Sequence, residues 1–536
     1  MQKWPLDQQP PSGQAGHRPP AHLFSANAVT DQTVSEISTL RRYVVLATLT
    51  FVTMLYTMTV MIANVALPKM QGTFAATVDQ IALVVTFNIV ATAMVTPASG
   101  WLASRFSRRN LMLYCSIGFT FASVCCGLAQ NLEQLVFFRI LQGGFGAPLV
   151  PICMAMILDI FPREEHGTAT AFFGMGVVFG PIIGPTIGGY LSEELGWRWV
   201  FFLLVPFGIL AITCIIVVID DRRKAPAIRL DWTGLISLSL AIASLQLMLD
   251  RGQRLDWFDS PEIILEAILS VGAFYIFIVH TFTTKTPFFD LRILRDRNFA
   301  LGIMITFLFG AILWTPMILY PPMMQGLQNY PENEVGLFLA LRGLGTLTAS
   351  TLLVFVNRLF DPRLILSIGF LLQGIAGWYM GAFDINLSAF DLAWTNALAG
   401  FGVGCVWVPL TLITFSTIDK SRLNEASAFF HLVRNVGSSI SISLTIALVI
   451  QSSSISYADL TGFVSIFGES STVMSLKGTS MPQTTPELMR LSGEIARQSR
   501  MIGYINAFYL YAIIAFSVIP LIMLVRMPQP EKPLPA

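Results

Sequence analysis

Residues Gly176–Gly189 read GVVFGPIIGPTIGG, set within an otherwise apolar run from about Thr168 to Tyr190. Glycine or proline recurs there every few residues, a spacing that would ruin a helix in water. Within a bilayer it is tolerated, because small residues let neighbouring helices approach closely while adjacent helices, hydroxyls and waters satisfy the freed backbone groups. The stretch therefore predicts a closely packed membrane-crossing helix.

Composition agrees with that reading. Hydrophobic residues make up 54% of the 536 and charged residues 12%, roughly half the charged share of soluble domains. The chain is expected to be an all-α polytopic membrane protein. A net charge of +1 carries no basic excess, so nucleic acid is excluded as a partner. Cys115, Cys125, Cys126, Cys153, Cys214 and Cys405 all sit in apolar segments and read as buried free thiols. Residues 1–42 are polar and proline-bearing, with no apolar core followed by a cleavage site. They read as a disordered cytoplasmic tail, and the first apolar run is expected to stay as a helix.

Crossing the hydrocarbon takes about 20 apolar residues per helix, and fourteen such runs are present. Their approximate limits are 43–67, 80–103, 110–129, 134–158, 168–190, 197–219, 232–250, 261–283, 299–327, 335–356, 364–383, 392–417, 425–451 and 501–526. Arg105, Arg108 and Arg109, the basic run Arg222–Lys224 with Arg229, and later Lys285, Arg292, Arg295, Arg297, Arg358, Arg363, Lys420 and Arg422 all fall in even-numbered connections. The opposite short loops hold only Lys69, Arg198, Arg251 and Arg254. By the positive-inside rule both termini are expected in the cytoplasm. Asp220 and Asp221 read as solvated cytoplasmic charge. One long connection, 452–500, is rich in serine and threonine, lies on the far side, and is expected to carry a short helix near Pro486–Gln498.

An internal repeat divides the chain. Thr170-Ala171-Phe172-Phe173 with Gly180 returns as Ser427-Ala428-Phe429-Phe430 with Gly437. Gly144-Phe145-Gly146 leading to Val150-Pro151 returns as Gly402-Val403-Gly404 leading to Val408-Pro409. Spans 4 and 5 thus match spans 12 and 13, which makes two six-helix halves with two helices inserted between them. The expected domains are a bundle at 43–219, an inserted pair with its flanking cytoplasmic loops at 220–298, a second bundle at 299–526 that includes the 452–500 loop, and a cytoplasmic tail at 527–536.

Gly180, Pro181, Gly184, Pro185, Gly188 and Gly189 are similar to the GPxxGPxxGG antiporter motif of the fifth helix in major facilitator drug:proton antiporters. Nearly the whole chain, Tyr43 to Arg526, resembles the fourteen-helix EmrB/QacA-type branch of that superfamily. The resemblance is carried also by Ile62–Pro68, by Arg139-Ile140-Leu141-Gln142-Gly143 and by Gly196–Phe202. Leu249-Asp250-Arg251-Gly252 with Leu255-Asp256-Trp257-Phe258 points to its EmrB-like inner-membrane pumps in particular. The resemblance implies a major facilitator fold of 6 + 2 inserted + 6 helices and proton-driven export of hydrophobic or amphipathic molecules. It also implies a periplasmic membrane-fusion adaptor and an outer-membrane channel as partners.

Several positions depart from the family pattern. Thr59 stands at the aspartate of LDxTIANVALP in span 1. In the loop after span 2 the family's GxLaDRxGRR reads Gly100-Trp101-Leu102-Ala103-Ser104-Arg105-Phe106-Ser107-Arg108-Arg109, with serines at the aspartate and second-glycine positions. Gly100, Arg105, Arg108 and Arg109 are still expected to form a cytoplasmic gating latch. Leu204 replaces a common asparagine.

Charges inside apolar runs are costly and therefore usually functional. The resemblance implies a proton-transfer role for Arg139. On span 13, His431 and Arg434 are three residues apart and share a face, with Arg434 roughly 13 Å from the inner end at 1.5 Å per residue. Arg342 in span 10 is a similar case. Glu266 is the only acid well inside an apolar run. Arg139, His431, Arg434 and Glu266 are the candidate coupling residues. Thr59, Asn64, Asn88, Gln142, Trp314 and Tyr320 are the candidate cavity residues, lying on central helices whose apolar and aromatic walls suit greasy ligands. No HExxH pattern and no paired intramembrane carboxylates occur, which argues against an enzyme, and no metal or cofactor is implied. A transporter without the standard proton coupling and a non-transporting sensor stay open as alternatives.

Overall fold

The computed structural model describes residues 38–162, 165–220, 231–284, 289–356, 360–419, 422–463 and 485–525; the side chains of Asn64 and Pro185 are outside the described set. Span 1 is α1 (Thr39–Phe74). Span 2 is α2 (Val78–Val95) with α3 (Ser99–Phe106), span 3 is α4 (Arg108–Leu128), and span 4 is α5 (Leu132–Gly146) with α6 (Leu149–Ile160). Span 5 is α7 (His166–Glu194), and span 6 is α8 (Arg198–Phe202) with α9 (Leu204–Val218). The inserted pair is α10 (Trp232–Arg251) and α11 (Pro261–Thr283). Span 9 is α12 (Arg297–Leu313) with α13 (Thr315–Gln328), followed by α14 (Glu332–Val356), α15 (Pro362–Gly381), α16 (Ala389–Phe415), α17 (Leu423–Phe463) and α18 (Thr485–Met523). Among the described residues, thirteen helical spans are long and apolar enough to cross a membrane, and fourteen when α2 and α3, bent by 61°, form one span. Pro97 sits at that bend.

Polar caps mark where many of these helices begin. Asn131 Oδ1 accepts from Gln134 N at 2.8 Å, Asp231 Oδ1 from Gly234 N at 3.0 Å and Asp296 Oδ1 from Phe299 N at 2.8 Å, each satisfying an otherwise orphaned donor. Within α7, Gly176, Gly180, Gly184 and Gly188 recur every fourth residue and line one face against α1. A Cβ built on Gly180 would stand 2.5 Å from the Met54 carbonyl oxygen and 2.8 Å from Met58 N; one on Gly184 would stand 3.0 Å from Met58 O. The two backbones are nearly in contact, and only glycine fits between them.

Packing repeats in the two halves. α1 packs on α7 as α12 packs on α17, α2 on α5 as α14 on α16, and α4 on α9 as α15 on α18. Across the middle, α7 meets α14 and α16, while α17 meets α3 and α6. Ser427 Oγ on α17 donates to the Pro151 carbonyl on α6 at 2.9 Å.

The 452–500 connection differs from expectation. α17 runs on to Phe463 and α18 starts at Thr485, so no separate short helix forms near Pro486–Gln498. With 41 and 39 residues, the two helices are about 60 Å long, roughly twice the hydrocarbon thickness. They stay paired past the expected ends of their spans, where the Tyr457 hydroxyl lies 3.2 Å from Ser492 Oγ. Residues 464–484 lie outside the described set.

Candidate functional site

A cavity of about 210 Å³ lies between the halves. Its first wall comes from Tyr56 and Thr57 of α1 with Asn88, Ile89, Thr92, Ala93 and Thr96 of the second span; its opposite wall comes from α17, His431 to Ile446. The third wall is α10 of the inserted pair, with Ile242, Gln246, Leu249 and Asp250. α10 is fastened to both halves. Ser239 Oγ donates to Met94 O of α2 at 3.0 Å, the Thr86 hydroxyl of α2 donates to the Asp250 carboxylate, and Ser443 Oγ of α17 donates to Leu249 O at 2.8 Å.

The cavity candidates separate. Asn88 and Trp314 are on the wall. Thr59 is buried and its hydroxyl donates to Leu55 O, four residues back, at 3.0 Å; it is not a wall residue. Tyr320 is fully buried, its hydroxyl 3.0 Å from Thr395 Oγ1 and its ring 5.7 Å from Phe508. Gln142 faces the opposite side of α5, where its Nε2 donates to Ser123 Oγ at 2.7 Å. The side chain of Asn64 lies outside the described residues.

Among the coupling candidates, Arg139 is fully buried behind the α2 wall. Its Nε donates to Val84 O at 3.1 Å and its Nη1 to Gln142 Oε1 at 2.7 Å, with Cζ 5.9 Å from the Phe201 ring centroid. Asn88 Nδ2 in turn donates to the Arg139 carbonyl at 2.8 Å. The C-terminal half holds its arginine on the other helix of the pair: Arg342 of α14 donates from Nη2 to Leu313 O at 2.9 Å, while the repeat puts Ala397 of α16 at the place of Arg139. His431 and Arg434 are both wall residues. Glu266 is not on the wall; it sits on α11 with its Oε1 3.6 Å from Arg251, a residue already paired with Glu262.

Residues 49–442 match the Major Facilitator Superfamily. The chain belongs to that superfamily. Within it the chain is similar to the multidrug export protein EmrB of Escherichia coli (strain K12), 33% identical over 441 residues that cover 82% of this chain and 85% of that protein. It is also similar to the fatty acid resistance protein FarB of Neisseria gonorrhoeae, 30% identical over 472 residues covering 87% and 92%. The proton:xylose symporter XylE shares the superfamily fold with a TM-score of 0.60 at 12% identity, covering 90% of this chain and 95% of that one.

Two arginines of the loop after span 2 are bonded despite its two serines. Arg108 Nη1 pairs with Asp159 at the end of α6 at 3.2 Å, and Arg109 Nη2 donates to the Ile216 carbonyl near the end of α9 at 2.9 Å. These bonds tie α4 to two helix C-termini, where cations are favoured. Arg105 is exposed, and Gly100 lies within α3. Ser107, at the motif's glycine position, has φ 64° and ψ 153°, a backbone that costs a non-glycine residue about 1–3 kcal/mol. In the antiporter motif, Gly180, Gly184 and Gly188 form the seam against α1, and Pro181 is buried. Gly189 is half-buried beside them.

Sequence reasoning missed Asp250 as a cavity residue. In the sequence it stands out as part of a family signature, and a carboxylate in the last turn of an apolar span, four residues after Gln246, is itself a signal. Tyr56, Thr92 and Asn435 were missed for want of any charge in an apolar run.

Proposed function

We propose that this protein is an inner-membrane efflux transporter that exports hydrophobic or amphipathic small molecules by alternating access, in exchange for protons, with both termini in the cytoplasm. The carrying observation is the cavity at the junction of the two halves, apolar over most of its wall and bearing Asp250 as its one carboxylate among the described residues. Apolar walls with a few fixed polar groups suit broad recognition of greasy ligands. The names of the relatives, a multidrug export protein and a fatty acid resistance protein, support the same direction.

In this reading Asp250 carries the exchanged proton, the task for which span 1 has only Thr59. Thr86 orients that carboxylate by donating a hydrogen bond to it. Because Leu249 and Asp250 also join α10 to α17 and α2, loading the proton changes how firmly the inserted helix clasps the two halves. Arg139 acts as a positioning residue behind the wall, and Glu266 steadies Arg251 at the outer end of the inserted pair. The membrane-fusion adaptor of a tripartite pump would dock on the paired extensions of α17 and α18, with an outer-membrane channel beyond it.

The test is transport in proteoliposomes with an imposed pH gradient and a panel of dyes and hydrophobic acids. Asp250→Asn is expected to lower gradient-driven transport at least about 100-fold, the lower end of the range for one lost proton-transfer group. Substrate exchange at equal pH on both sides should stay near wild type. Full gradient-driven transport by Asp250→Asn would remove Asp250 from coupling, and no transport by the wild type under any gradient would favour the sensor reading.

A further inference from the structure

The α17 wall of the cavity carries a positive charge that forms no ion pair with any described carboxylate. Arg434 is 7% exposed; its Nη2 donates to Asn435 Oδ1 at 3.2 Å, while Nε and Nη1 have no hydrogen-bond partner. Its Cζ lies 5.4 Å from the centroid of the Trp407 ring. One turn earlier, His431 is 2% exposed and neither ring nitrogen has a partner. The neighbouring hydroxyl of Ser438 is not free to help, since it donates to the carbonyls of Gly310 and Arg434. A buried guanidinium is normally matched by a carboxylate or saturated with carbonyls, because an unpaired buried charge is strongly unfavourable. Arg342, bonded to Leu313 O, and Arg139, bonded to Val84 O, follow that rule more closely.

We infer that Arg434 and His431 form a receptor for the anionic head of an amphipathic organic anion, a carboxylate or phenolate whose apolar tail lies along Ile89, Ile242, Val436 and Ile442. A guanidinium presents N–H groups in a fixed fork that matches a carboxylate, which makes this pairing strong and orienting. His431 offers a further ring N–H toward the same head group. Asp250, across the cavity and already bonded to Thr86, discourages a second anion at the far end and sets the direction in which the ligand lies. The inference rests on the reading of this cavity as the export site and names the substrate class that it would select.

The experiment is binding of three probes with equal tails, decanoate, decanol and decyltrimethylammonium, to the purified full chain in lipid nanodiscs, followed by tryptophan fluorescence. A hydrogen bond to a charged group is worth enough to give decanoate an advantage of at least about tenfold over decanol, with the ammonium probe weaker than both. Arg434→Gln should bring decanoate and decanol to within about twofold, the residual expected of a neutral hydrogen bond, and Arg434→Lys should keep part of the preference. Equal affinities in the wild type overturn the receptor, as does an intact acid preference in Arg434→Gln. The wild-type comparison needs no variant, so misfolding cannot hide the answer. Acid preference without gradient-driven transport would leave the receptor standing and remove the export reading, whereas transport with no preference would do the reverse.

Discussion

Gly180→Leu is expected to remove most of the protein from the folded, monodisperse fraction after mild detergent extraction. A Cβ at this position already meets the Met54 carbonyl at 2.5 Å and Met58 N at 2.8 Å, both backbone atoms of α1 that no rotamer change can move aside. Overpacking a core costs 1–3 kcal/mol when side chains can yield, so a rigid helix seam should sit at the upper end, about 3 kcal/mol or more. α1 and α7 would have to separate along the whole crossing. Gly184→Leu, whose Cβ would meet Met58 O at 3.0 Å, should be milder. Gly72, with nothing within 4 Å of a built Cβ, should accept alanine without loss and serves as the control. A normal monodisperse peak and unchanged melting for Gly180→Leu would mean that this seam is not as close as described.

Arg139→Ala is expected to insert normally and to lose gradient-driven transport by about 100-fold, the size of effect that a displacement of 1 Å at a working site can have. The guanidinium holds Val84 O one turn from the wall residue Asn88, and Asn88 is itself bonded to the Arg139 carbonyl. Without the side chain, Gln142 Oε1 also loses its donor in a buried setting, a penalty of about 1–3 kcal/mol. The first loss acts on α2, which forms the N-terminal wall of the cavity and carries Thr86, the partner of Asp250; the second acts on α5, against which α2 packs. Arg139→Lys, with one compact ammonium, can reach one of the two acceptors and should recover part of the rate. Transport at the wild-type rate by Arg139→Ala in the proteoliposome assay would dismiss Arg139 from both positioning and proton transfer. Lost transport with an unchanged melting temperature would favour a direct role in proton movement over positioning.

The spans, the seam and the intramembrane charges were legible in the sequence because each has a local cost. An apolar run of 20 residues has few fates other than burial in a bilayer, and glycines four apart make sense only where another backbone approaches. Arg139, Arg342, His431 and Arg434 stood out because charged or titratable side chains in such runs are expensive. The extension of α17 to Phe463 was not legible, since the polar serine-rich sequence there carries no membrane signal and its helix is held by pairing with α18.

Which residues share the cavity was decided by tertiary structure alone. Rotation of each helix about its own axis turns Gln142 and Tyr320 toward Ser123 and Thr395 instead of the cavity, and leaves Thr59 off the wall, bonded within its own helix to Leu55 O. Hydropathy does not encode that rotation when a helix is apolar on every side. Asp250 reaches the wall because α10 is wedged between α2 and α17 by three bonds, to Met94, Thr86 and Ser443, from residues 145 to 194 positions away. Hydrophobic spacing made the inserted pair membrane helices; only hydroxyl-to-carbonyl and hydroxyl-to-carboxylate contacts across the assembled bundle made one of them part of the site.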